Sequence, residues 1–152
     1  MNGKRNDMKH NTLIFLLGFF MLQFACSPDF EPVDYGHDAC AHCRMTIMDK
    51  RYAAELITPK GKAYKFDDAI CMLQYMSANQ VSPDSRLLIA DHSDATHPFI
   101  DARKAIYLHN PSFKTPMNGN YAAFASEKAA VPLKDNLEQK LLHWEDLTRI
   151  NP

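Results

Sequence analysis

The sequence has no glycine-rich phosphate loop, no His-Glu-x-x-His pair and no nucleophile set beside a plausible base. It therefore lacks the signatures of phosphoryl transfer, zinc proteolysis and acyl transfer. It has no long run of like charge, and its formal net charge is −1, so the basic face or stripe that nucleic acid calls for is missing. Glycine is scarce, at 5 of 152 residues, while 46% of the residues are hydrophobic. Such a chain is not disordered, and it is long enough for one compact domain with a real core. Long apolar runs are lacking too, with one exception near the start.

That exception is Leu13 to Leu22, preceded by Lys4, Arg5 and Lys9 and followed by Cys26. Its apolar stretch of about 10 to 12 residues falls short of the roughly 20 that a helix needs to span a bilayer, so residues 1–25 read as a secretory signal peptide rather than a membrane anchor. Ala25 before Cys26 and Ser27 after it resemble the lipobox of bacterial lipoproteins, although Gln23 stands where that box usually has Leu. On this reading Cys26 is the acylated N-terminus, and more than one acyl chain gives stable anchoring. Loss of residues 1–25 takes away three basic residues and one acidic residue, leaving 14 Lys and Arg against 17 Asp and Glu. The expected location is the bacterial cell envelope, lipid-anchored to a membrane and facing the periplasm.

Residues 26–38 include Pro28, Pro32, Gly36 and several acids, the composition of a flexible tether, and the domain proper is expected over 39–152. Tyr52–Thr58 and Lys62–Phe66 flank Pro59-Lys60-Gly61 and predict a hairpin. Asp67 is placed as the N-cap of a helix reaching about Asn79, with Ile70, Leu73 and Met76 or Ser77 on one face. Arg86–Asp91 and Ala105–Leu108 read as strands separated by a polar segment holding His92, His97 and Pro98. The turn-rich stretch Asn110 to Asn120 puts Met117 on a loop. Beyond it come a strand at Tyr121–Ala125, a helical stretch over Glu127–Gln139 interrupted near Pro132, and the terminal segment around Trp144. Tyr52-Ala53-Ala54 echoes Tyr121-Ala122-Ala123, and Lys65-Phe66-Asp67-Asp68 echoes His143-Trp144-Glu145-Asp146. The fold class this implies is α+β, antiparallel strands with two or three helices, with a duplicated ββα-type unit as one form of it.

The chemistry concentrates in Cys40-Ala41-His42-Cys43-Arg44-Met45, two thiols, an imidazole and a thioether within six residues. Such soft donors select Cu(I) over hard cations. Three plainer readings stand beside it. Structural zinc wants four ligands, and Cys71 would have to join with an imidazole such as His42 to complete the set. An oxidising envelope permits a Cys40–Cys43 disulfide, although a catalytic Cys-x-x-Cys usually opens a helix and this one follows a tether. A lone methionine is ordinarily core, but Met45 stands two residues after Cys43, on the same side of an extended segment. Elsewhere, Cys71 reads as a buried small hydrophobe, Asp67 and Asp68 as a helix cap and first-turn acid, and His42 as an exposed imidazole in competition with a ligand role. His92, His97 and His109 read as solvated loop residues and Trp144 as core.

Three segments together resemble the NosL family of copper-binding accessory lipoproteins of nitrous oxide reductase. They are Cys40 to Ile47, similar to the family's Cys-x-x-Cys-Gly-Met stretch; Gly61 to Met72, similar to its Gly-Lys-x-Tyr-x-Phe-Asp-Asp-x-x-Cys-Met run; and Thr115 to Ser126, similar to its Pro-Met-Gly segment. The resemblance implies that Cys43 and Met45 bind Cu(I), that Met117 is a more labile ligand, and that Cys40 either assists or forms a disulfide in the absence of metal. It implies a carrier rather than an enzyme, passing copper to an accepting protein of nitrous oxide reductase assembly. An envelope thiol-disulfide reductase using Cys40 and Cys43, and a zinc-stabilised interaction module, are the rivals. Arg44 and Asn118 each stand where the family has glycine.

Overall fold

A computed structural model describes residues 30–150. The signal peptide over 1–25 and the lipidation of Cys26 fall outside the described residues. Among the described residues six strands and three helices follow in the order β1 (Ala54–Ile57), β2 (Ala63–Phe66), α1 (Ala69–Ala78), β3 (Arg86–Ala90), β4 (Phe99–Asp101), β5 (Ile106–His109), β6 (Tyr121–Phe124), α2 (Glu127–Ala130) and α3 (Trp144–Ile150), with a 3₁₀ turn at Val131–Leu133 after α2. No helix among the described residues is long and apolar enough to cross a membrane.

The fold is α+β, as expected. Four strands pair antiparallel in the order β2-β1-β3-β4, and β5 pairs antiparallel with β6 in a second, two-stranded sheet. The first hairpin turns at the anticipated Pro59-Lys60-Gly61, where Gly61 takes φ +84° and donates its N–H to Thr58 O at 2.9 Å. A left-handed turn residue is where glycine's missing Cβ matters. Every residue of β1 is buried, because β2 and β3 cover both its edges while helix α1 packs against the hairpin.

The two sheets are joined where the chain leaving β3 meets β6. Asp91 forms a parallel bridge with Ala123, and His92 donates its N–H to Ala123 O at 2.8 Å. On the other side, Tyr107 and Leu142 exchange hydrogen bonds, each 2.8 Å, which brings the chain into α3 with Trp144 and Leu147 buried.

Four sequence expectations are corrected. The helix cap is Asp68 rather than Asp67, and its side chain accepts the Cys71 N–H. Phe99–Asp101, inside the segment read as polar, forms β4 because β3 offers it an open edge. The helical stretch after Glu127 stops at Ala130, and Pro132 sits in the 3₁₀ turn that follows, since a proline has no N–H to continue the ladder. The chain also joins the domain before residue 39: Val33 is buried in the core, the Phe30 ring packs at a tilt against Phe99 with centroids 5.0 Å apart, and Gly36 donates its N–H to Ile47 O.

The internal repeat is present in a different register from the sequence echo. Strand β2 and helix α1 run Ala63–Phe66, a two-residue break, then Ala69; strand β6 and helix α2 run Tyr121–Phe124, the same break, then Glu127. In each hairpin the terminal phenylalanine faces the first residue of the partner strand, Phe66 opposite Ala54 and Phe124 opposite Ile106. Tyr52 precedes a first strand whereas Tyr121 opens a second one, so those two residues are not equivalent.

Candidate metal centre

Residues 38–47 form a small thiol-bearing loop. Ala39 bridges Thr46, Ile47 N–H reaches Asp38 O, and Cys40 N–H reaches Met45 O at 2.8 Å. Inside, Arg44 N–H bonds Cys40 O at 3.0 Å, with residues 41–43 in a turn. Arg44 closes it with φ +68°, a left-handed conformation that favours glycine and that this chain meets with a side chain carrying a Cβ. The extended geometry expected between Cys43 and Met45 is therefore replaced by a turn. Met45 lies at its exit, and its side chain is 55% exposed.

The loop docks beside strand β2, where Ala41 donates its N–H to Lys65 O at 2.8 Å. Lys65 reinforces the attachment through Nζ, which lies 2.8 Å from Asp38 Oδ2 and 2.9 Å from Glu31 Oε1. Because α1 starts three residues after Phe66, this docking carries Cys40 and Cys43 to the first turn of α1, where Cys71 waits. The sulfurs of Cys40, Cys43 and Cys71 all lie within 4.8 Å of one another. All three are free thiols; Cys40 and Cys71 are fully buried and Cys43 is half-buried.

The surroundings divide the three sulfurs by charge. The Cys40 thiol is brought down to about 4, first by a hydrogen bond from the Cys71 thiol and then, against the opposing effect of burial, by the N–H groups of Cys43, Asp67 and His42. Cys71, as the donor to Cys40 and buried as well, is pushed far up, and burial raises Cys43. Burial and then the Cys40 charge raise Asp67 to about 6.

Met117 approaches the same place from the other half of the molecule. Its loop is pinned by Asp68, a buried carboxylate that accepts the Cys71 N–H through Oδ1 and the Met117 N–H through Oδ2, both at 3.0 Å. Met117 packs against the core cluster that also holds Cys43 and Cys71, and Asn118 takes the left-handed φ of +58°. Next to it Gly119 lies so near α1 that an added Cβ would stand 2.4 Å from Ile70 Cγ1.

The structure therefore gathers Cys40, Cys43 and Cys71, and it brings the Met117 backbone to the residue that caps the Cys71 helix. Cys71 is buried, as the sequence suggested, but in contact with two other thiols. His42 contributes its N–H to Cys40 while its half-buried ring belongs to no metal-competent group among the described residues. His92, His97 and His109 lie apart from the thiols. His92 is not a solvated loop residue: its ring stacks against Tyr52 at 5.4 Å and meets the tilted ring of Phe113 at 5.0 Å. The sequence signal for Cys71 is its place in the Gly61 to Met72 run that resembles the family, but only the docking of Ala41 on Lys65 shows which thiols it meets.

No curated protein matches the sequence. Among solved structures, the crystal structure of the copper chaperone NosL from Shewanella denitrificans aligns with a TM-score of 0.64 at 21% identity, covering 81% of this chain and 98% of that one. That likeness establishes the fold. The family model described as NosL matches residues 34–150, which span both hairpins, the thiol loop and the Met117 loop, and the chain thus belongs to the NosL family.

Proposed function

We propose that this chain captures Cu(I) in the bacterial envelope and passes it to a copper-accepting protein by ligand exchange. The observation that carries the reading is a cluster of three free thiols within 4.8 Å, reaching the surface only through half-buried Cys43 beside exposed Met45. Three soft donors select monovalent copper over harder ions, and a sulfur at the surface lets an incoming ligand bind before the outgoing one leaves. Cys43 and Met45 are the transfer ligands, Met117 is a third and more labile one held in place by Asp68, and Cys40 assists. His42 acts through its backbone. The copper chaperone role of the Shewanella denitrificans protein supports the assignment, and the family resemblance implies nitrous oxide reductase or its assembly machinery as the acceptor. Cys26 carries the lipid that holds the domain at the membrane, facing the periplasm. The chain turns over no substrate.

Anaerobic titration with Cu(I) against a chromophoric competitor tests this. Cys43→Ser and Met45→Ala are expected to weaken binding while the apo fold survives chelators. Unfolding by chelator would instead identify a structural zinc site. Disulfide reductase activity that needs both Cys40 and Cys43 but not Met45 would identify the redox alternative.

A further inference from the structure

Resting on the Cu(I) reading, we propose a second, interior copper position formed by the sulfurs of Cys40, Cys43 and Cys71. It shares Cys43 with the outer set of Cys43, Met45 and Met117, so Cys43 is the pivot on which the ion moves between a retained and a transferable state.

The sulfur spacing suits it. Metal–thiolate bonds of about 2.3 Å place the sulfurs of a planar three-coordinate ion about 4 Å apart, and the three here lie within 4.8 Å of one another. Adjustments of under an ångström close the set. The exposures are graded in the right direction: Cys40 and Cys71 are wholly buried, and Cys43 is the member that reaches the surface. Among the described residues, the Cys43 sulfur is the one past which an ion enters or leaves.

A cysteine that only fills space needs no other thiol beside it, yet Cys71, in the first turn of α1, has two within 4.8 Å. The second hairpin supplies a comparison within the molecule. There Ser126 caps α2 by accepting the Ala129 N–H, as Asp68 caps α1 through Cys71. The position equivalent to Cys71 is thus filled by Ala129, and the fold does not require a sulfur there.

Movement between the two positions conserves charge and atoms. Copper stays monovalent and keeps its bond to Cys43. Its bonds to the Cys40 and Cys71 sulfurs break as bonds to the Met45 and Met117 thioethers form. The Cys40 and Cys71 sulfurs take up protons from water as copper leaves them, returning to the free thiols of the metal-free chain.

Methionine labelling separates the two positions. The full chain, prepared in detergent with selenomethionine and loaded anaerobically with half an equivalent of Cu(I), is measured by copper K-edge X-ray absorption. The interior position predicts a first shell of sulfur alone, with no selenium neighbour. In Cys71→Ser a copper–selenium distance appears and Cu(I) affinity falls at least tenfold. Selenium scattering in the unsubstituted chain overturns the interior position and leaves the proposed function standing; so does an unchanged affinity in Cys71→Ser. Failure of the unsubstituted chain to bind Cu(I) at all overturns both. Should Cys71→Ser not fold, the spectrum of the unsubstituted chain decides alone.

Discussion

The two hairpin–helix units have the same local plan and very different contents. In both, a four-residue strand ends in a buried phenylalanine, two residues follow, and a side-chain oxygen caps the next helix by accepting the N–H three positions on. In the first unit the cap is a buried aspartate, the capped residue is Cys71, and the helix runs ten residues. In the second the cap is an exposed serine over Ala129, with a single helical turn cut off before Pro132. Capping geometry alone is structural. What makes the first unit a site is the docking of the thiol loop on β2 and the second oxygen of Asp68, which Ser126 does not have.

Cys43→Ser breaks the contrast most severely. It removes the ligand shared by both proposed copper positions, so Cu(I) affinity is expected to fall by more than the roughly 10–100-fold that loss of a supporting partner costs. The thermal midpoint of the apoprotein should hardly move, because the second unit folds on the same plan without any thiol. Competition titration and calorimetry on one preparation check both halves of the statement.

Gly119→Ala attacks the place where the units touch. A Cβ at 2.4 Å from Ile70 Cγ1 cannot be accommodated without displacing the Ile70 side chain, the Met117 loop or the start of α1, and such overpacking costs about 1–3 kcal/mol. Urea unfolding should show that loss, and Cu(I) affinity should drop with it, since the loop carries Met117 away from the thiols.

Asp68→Asn is narrower. The amide oxygen still caps Cys71, as asparagine caps helices about as well as aspartate, but an NH₂ group now confronts the Met117 N–H. Copper affinity should fall about 10–100-fold, the usual effect of losing an outer positioning group. Ser126→Ala, by contrast, should cost roughly 0.5–1 kcal/mol and leave copper binding unchanged. A further drop when Asp68→Asn is combined with Met117→Ala would show that Asp68 acts by another route.

Much of this was legible in the sequence, and the gaps have physical causes. The first hairpin and α1 could be read because Pro59-Lys60-Gly61 and the Ile70/Leu73 face are local signals. Strand β4 could not, because Phe99-Ile100-Asp101 is extended only through pairing with Leu88–Ala90. The Cys40, Cys43 and Met45 cluster was visible as a motif, and Met117 through the family resemblance. Cys71 reads from the sequence as a buried cysteine, which it is, but its thiol neighbours are set by a hydrogen bond between Ala41 and Lys65 that no spacing in the sequence encodes. The repeat was sensed through the wrong tripeptide, since Tyr-Ala-Ala recurs by composition whereas the structural equivalence rests on strand register.

That register yields one more contrast. Glu55 and Tyr107 are equivalent, each the second residue of its first strand and each fully buried. The Tyr107 hydroxyl donates to Ala102 O at 2.7 Å, whereas Glu55 receives the Glu31 N–H on Oε1 and has no partner for Oε2 among the described residues. Burial outweighs the nearby cations and raises the Glu55 carboxyl above its ordinary value of 4.5. The folded state then holds this proton more tightly than the unfolded chain does. Its contribution is complete below pH 4.5 and is lost as the pH rises through the raised value. Glu55→Gln keeps an acceptor for Glu31 and removes the charge, so the variant should be the more stable of the two at pH 7 and lose that advantage at pH 4. Tyr107→Phe should instead cost about 1 kcal/mol, the ordinary worth of one hydrogen bond, equally at both pH values. Urea midpoints at the two pH values distinguish these outcomes, and a Glu55→Gln profile parallel to that of the unsubstituted chain would mean that the carboxyl is not the group responsible.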